Sequence, residues 1–101
     1  MKNFIAEPIF KDPIPVDNER LNEIIREHED FLRVGIADGW ILFCGPKVNI
    51  RGGFVILKAE SLEEIEKHFL NDPLQKEGIV TFRFTEFKLF ECQQILRNWF
   101  I

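Results

Sequence analysis

Apolar residues follow two rhythms along this chain, one of period two and one of period three to four, and together they predict six elements. Residues 3–10 gather the β-formers Phe4, Ile5, Ile9 and Phe10 and predict a first strand. Pro8 donates no ladder hydrogen bond, so the strand must end, bulge or need no donor there. The prolines of Lys11-Asp12-Pro13-Ile14-Pro15 bar regular helix and predict a loop.

Over 18–34, Leu21, Ile24, Ile25, His28, Phe31 and Leu32 recur at three- and four-residue steps, while Glu23, Arg26, Glu27, Glu29, Asp30 and Arg33 take the other side. This is an amphipathic helix. Asp17 is its expected N-cap, Val16 and Leu21 its hydrophobic staple, and Gly35 its terminator. After a turn at Gly39, the apolar run Trp40-Ile41-Leu42-Phe43-Cys44 predicts a second strand, ended by Gly45-Pro46. Residues 53–58 predict a third, forming an antiparallel hairpin with the second, and Gly52 and Gly53 permit a bulge or the close approach of a ligand.

Ser61-Leu62-Glu63-Glu64 has the capping-box spacing and opens a second helix with Leu62, Ile65 and Phe69 on one face, ending near Leu70. Asn71-Asp72-Pro73 breaks the pattern. Alternation resumes over 79–88, with Val80, Phe82 and Phe84 on one face and Thr81, Arg83 and Thr85 on the other, as a final strand. The order β-α-β-β-α-β predicts an α+β, ferredoxin-like domain over residues 1–88, with both helices on one side of an antiparallel sheet. The bare face carries Phe, Ile and Val side chains, each worth about 1.5–3 kcal/mol when buried, so a second copy is expected to cover it. The extension 89–101 spaces Cys92, Ile95, Leu96 and Trp99 as a short amphipathic helix expected to lie along a partner.

Composition narrows the function. The net charge of -4 with no basic cluster argues against nucleic-acid binding and leaves a small molecule or another protein as partner. Cys44 and Cys92 form no CxxC or Cys/His spacing, so neither a disulfide framework nor a zinc site is expected. No run approaches membrane-spanning length, and Glu7 interrupts any signal-like segment, so a cytoplasmic protein is expected. Eleven Phe, two Trp and no Tyr supply large apolar area with no phenolic hydroxyl to satisfy.

Among candidate chemical groups, His28 sits on the apolar stripe of the first helix, where burial beside a carboxylate suits an acid/base catalyst. A core histidine bonded to backbone is the competing explanation. Asp72 has the position of an N-cap before Pro73, and one oxygen can cap while the other faces a pocket. Cys44 reads as a small buried hydrophobe, His68 as a surface residue, and Arg83 as a partner of Glu86 or of an acidic partner protein. Arg51 and Lys47, in the hairpin loop, are placed to attract an anionic substrate, with solvated loop charges as the commoner alternative. No phosphate loop, nucleophile elbow, dinucleotide fingerprint or metal cluster is present, so no cofactor or metal is expected.

The ordered set His28 with Phe31 and Leu32, Gly45-Pro46, Gly52-Gly53, and Asp72-Pro73 with Gly78 resembles the YciI-like (YCII-related) family over residues 3–88. Leu74, where an aromatic is common, and Pro8 depart from its pattern. The resemblance implies a homodimer of the dimeric α/β-barrel kind, with His28 and Asp72 as a catalytic acid/base pair. Gly45, Pro46, Arg51, Gly52 and Gly53 are the expected substrate-binding residues. The expected activity is that of a cofactor-independent isomerase or lyase on a small organic substrate. The alternatives are a non-catalytic dimeric ligand-binding or accessory module and a purely assembling protein driven by the Trp99 tail.

Overall fold

In the computed structural model, which describes residues 1–101, the alternating segments form one four-stranded antiparallel sheet. β1 (Lys2–Phe10), β2 (Ile41–Pro46), β3 (Gly53–Ala59) and β4 (Val80–Phe87) take the order β2-β3-β1-β4. This is the order that the two crossovers of a ferredoxin-like fold require. β1 lies at the centre, pairing Phe4 with Leu57 on one side and with Glu86 on the other. Pairing with β3 stops at Ala6 while pairing with β4 runs on to Phe10. Pro8 therefore lies where β1 has a neighbour on one side only, which is how the strand accommodates it.

Helix α1 (Asn18–Ala37) begins where Asp17 accepts a 2.8 Å hydrogen bond from Arg20 N–H. It runs past Gly35, the expected terminator, and the chain turns at Gly39 with φ of +87°. Gly35 is instead a packing residue, because a Cβ there would collide with the Ile41 side chain and approach Trp40 Cζ2 within 2.9 Å. Ser61 caps α2 (Leu62–Phe69) through Glu64 N–H, and Asp72 caps the single-turn α3 (Pro73–Lys76). Ile65 and Phe69 are fully buried, whereas Leu62, at the exposed first turn, is not part of the apolar face.

Phe4, Ala6, Val55, Leu57 and Ala59 project from the sheet against Ile65 and Phe69. A second cluster joins Leu21 and Ile24 of α1 to Leu74, Ile79 and Val80. The opposite sheet face has no helix over it. Ile9 and Phe43 are 51% and 45% exposed there, and Phe43 meets Phe54 edge to face at 6.0 Å. The second strand is thus covered on one face only within the chain.

The expected short helix of the tail is present as α4 (Arg97–Phe100), led into by a 3₁₀ turn at Gln94–Leu96, with Ile95 exposed. It folds onto its own chain. Trp99 Nε1 donates to Asn3 Oδ1 at 3.3 Å, the Lys58 ammonium sits 4.2 Å from the Trp99 ring centroid, and Phe100 meets Phe87 at 6.4 Å. These three contacts cover one end of the open sheet face.

Candidate functional site

His28 follows Ile24 by one helical turn and so shares its stripe, which faces α3. The two helices are held together by Leu21 and Ile24 against Leu74 and Ile79. Asp72 is fixed by three demands at once. Its backbone N–H donates to Phe69 C=O, its side chain accepts from Leu74 N–H at 3.0 Å, and Pro73 supplies the preset first helical residue. The carboxylate that results is fully buried and lies with both oxygens 2.8 Å from His28 Nδ1.

A carboxylate only accepts, so Nδ1 carries the hydrogen and donates to it. That leaves Nε2 of the neutral ring with its lone pair free. No group of the chain bonds to Nε2, which is open to solvent because no buried side-chain nitrogen or oxygen lacks a partner. The His28 side chain is 16% exposed. One nitrogen is thus bound to a buried acceptor while the other is available, the arrangement that general-base chemistry uses.

The accessible edge of His28 lines a cleft of about 440 Å³ between α1 and the sheet. Pro8, Phe10, Leu32 and Phe82 form much of its apolar wall. Ligand pockets commonly run from about 300 to 1,000 Å³, so this is room for a small organic molecule. All five expected substrate-binding residues, Gly45, Pro46, Arg51, Gly52 and Gly53, are on the lining, and Asp72 lies behind it. Gly52, with φ of +93°, is also where a Cβ would press 3.3 Å from Pro8 Cγ, so the absence of a side chain keeps the hairpin close to β1.

Other candidates take different places. Cys44 lines the cleft, and burial pushes its thiol up, which disfavours the thiolate and suits a packing role. Lys47 is on the lining but is bound to Glu7 Oε2 at 2.8 Å. Arg83 bonds to Glu7 Oε1 at 3.4 Å and not to Glu86. His68 is more than a surface residue, since its ring stacks on Trp40 at 4.4 Å. No group of three His, Cys, Asp or Glu side chains is placed to hold a metal ion, and no helix is long and apolar enough to cross a membrane.

Sequence reasoning missed the wall residues Phe10 and Phe82, whose alternation shows which sheet face they share but not that α1 stands off from it. It also missed Glu7 as the hub of the Lys47 and Arg83 pairs. Its alternation with Ile5 places it on the open face, but its partners come from a hairpin loop and a strand distant in sequence.

A search of curated proteins finds no match. Among solved structures, the chain is similar to 5-chloro-2-hydroxyhydroquinone dehydrochlorinase (TftG) from Burkholderia phenoliruptrix AC1100 in complex with 2,5-dihydroxybenzoquinone. The TM-score is 0.68 at 22% identity, over 85% of this chain and 93% of that one. At that identity the likeness shows a common fold. The family model of the YCII-related domain matches residues 8–88, a span that holds β2, β3, β4, the helices that cover them, and both His28 and Asp72, and the chain belongs to that family.

Proposed function

We propose that the cleft is the active site of an enzyme of the lyase or isomerase type, in which His28 Nε2 moves a proton on a small cyclic substrate. The observation that carries this reading is the polarised imidazole: Nδ1 is bound by a buried carboxylate at 2.8 Å while Nε2 is unbound at an apolar cleft. Nε2 accepts a proton from an acidic O–H or C–H of the substrate. The electron pair left behind forms a new C=O or C=C bond and either expels a leaving group, as in a lyase, or is reprotonated elsewhere by the same imidazolium, as in an isomerase. Asp72 offsets the positive charge that His28 acquires. No electrons are gained or lost, so the reaction itself needs no redox group.

The similar dehydrochlorinase structure, with its 2,5-dihydroxybenzoquinone, supports a hydroxylated ring as the kind of molecule to try first. The open sheet face further supports a homodimer, in which a second copy shelters Ile5, Ile9, Phe43 and Ile56.

The test is turnover of 5-chloro-2-hydroxyhydroquinone followed by chloride release, together with deuterium uptake from D₂O into hydroxylated rings and lactones. His28→Ala should lower the rate by about 10²–10⁴-fold, the usual contribution of a positioned acid/base group. A His28→Ala rate equal to the wild type contradicts the proposal. Binding without chloride release or proton exchange in any member of the panel favours the non-catalytic ligand-binding module.

A further inference from the structure

Besides the Cys44 thiol, five charged or titratable side chains share the cleft lining: His28, Glu29, Arg33, Lys47 and Arg51. They differ in how their charge is already spent. Arg33 Nη1 donates to Asp30 at 2.9 Å, and Lys47 donates to Glu7 at 2.8 Å. Each of these cations therefore has a carboxylate partner within the chain. Arg51 has none. Its guanidinium carbon lies 5.5 Å from the centroid of the Phe10 ring, one of the cleft's own walls. Glu29 is the one carboxylate on the lining, and it is bonded to none of the three cations.

The geometry points to Arg51 as the residue that selects an anionic ring for the cleft, binding a carboxylate or ring oxyanion of the substrate. This inference rests on the reading of the cleft as a substrate site and adds the charge of the substrate to it. A guanidinium held over an aromatic ring keeps its N–H edges free, and it presents them in a plane that matches two oxygens of one anionic group. Phe10 thus holds Arg51 over the cavity in place of the carboxylate that holds Lys47 and Arg33 elsewhere. A substrate spanning the cavity places its anionic oxygens at Arg51 and its acidic hydrogen at His28. The apolar wall of Pro8, Leu32 and Phe82 takes the ring between them.

The hairpin loop supports the same reading. Val48 and Ile50 are 84% and 64% exposed, so the loop that carries Arg51 is not buried in the fold. Its attachment is made through Lys47 to Glu7 and through Lys47 N–H to Gly52 C=O, and Arg51 adds its contact with Phe10 but no hydrogen bond or ion pair. Substitution of Arg51 therefore perturbs recognition and leaves the fold intact.

Two pairs of ligands that differ in charge but little in size test this by calorimetry: 2,5-dihydroxybenzoquinone with hydroquinone, and benzoate with benzamide. The wild type should bind the anion of each pair more tightly. Arg51→Gln should weaken the anions by about tenfold, the effect of losing one charge-assisted contact, and leave the neutral rings unchanged. Arg51→Lys should keep part of the preference. Equal loss for anion and neutral partner, no loss for either, or failure of the wild type to bind any of the four overturns the assignment. The His28→Ala protein separates this from the acid/base reading. If it retains the charge preference while the wild type turns nothing over, the proton-transfer proposal falls and Arg51 stands. If turnover depends on His28 but Arg51→Gln alters no binding, the reverse holds.

Discussion

At the scale of single residues, the pairing of His28 with Asp72 brings together side chains 44 positions apart. Helical spacing placed His28 on the buried stripe, and the Asp-Pro dipeptide placed Asp72 at a cap, but neither fact brings the two together. Their union was legible through the family resemblance alone, because it depends on how α1 packs on α3. Glu7 illustrates the same limit for charge. The two cations Lys47 and Arg83 hold its carboxyl below the ordinary value of 4.5, mainly through hydrogen bonds from each. A carboxyl with a depressed folded-state value contributes stability above its unfolded value and loses it as pH falls through the folded one. The urea midpoint of Glu7→Gln should therefore lie below that of the wild type at pH 7, and the gap should close as pH drops below 4.5. A gap that is constant or grows toward acid would show that Glu7 acts otherwise.

At the scale of elements, the strands and helices were legible because their apolar periodicities are clean, whereas the boundaries that failed were set by tertiary contact. Gly35 has the composition of a stop signal, yet α1 continues through it because the absent side chain admits Ile41 and Trp40 against the helix. Two principles give opposite signs for Gly35→Ala. Helix propensity alone favours alanine by about 0.8–1.0 kcal/mol. Overpacking against a strand costs about 1–3 kcal/mol, and with the new Cβ overlapping Ile41 it should win, giving net destabilisation in urea unfolding. A more stable Gly35→Ala protein would mean that β2 gives way easily. The expected tail helix is present, but only over Arg97–Phe100, for a related reason. A helix this short is marginal by itself, so the contacts of Trp99 with Asn3 and Lys58 decide its path more than the spacing of Ile95 and Leu96 does.

At the scale of the whole molecule, one side of the sheet is covered by α1, α2 and α3, apart from the cleft beneath α1, and the other by nothing but the end of the tail. Ile5 and Ile56 are paired neighbours in the middle of that open side. Covering such residues is worth about 1.5–3 kcal/mol per large side chain, which favours association of two copies. Light scattering should give about twice the 12.0 kDa chain mass. Ile56→Glu, which puts an unpaired charge into the middle of that contact, should return it to one chain mass with the fold retained. A wild type that is monomeric at high concentration would place the sheet face in solvent and remove the dimer.

The most direct test of the account is ¹⁵N NMR of the His28 ring, at a pH where the imidazole is neutral. The buried Asp72 carboxylate requires the Nδ1–H tautomer, with Nε2 showing the shift of an unprotonated nitrogen, and Asp72→Ala should let the ring revert toward Nε2–H. A wild-type ring already protonated on Nε2, or one whose tautomer ignores the loss of Asp72, would contradict the polarised histidine on which the proposed chemistry rests.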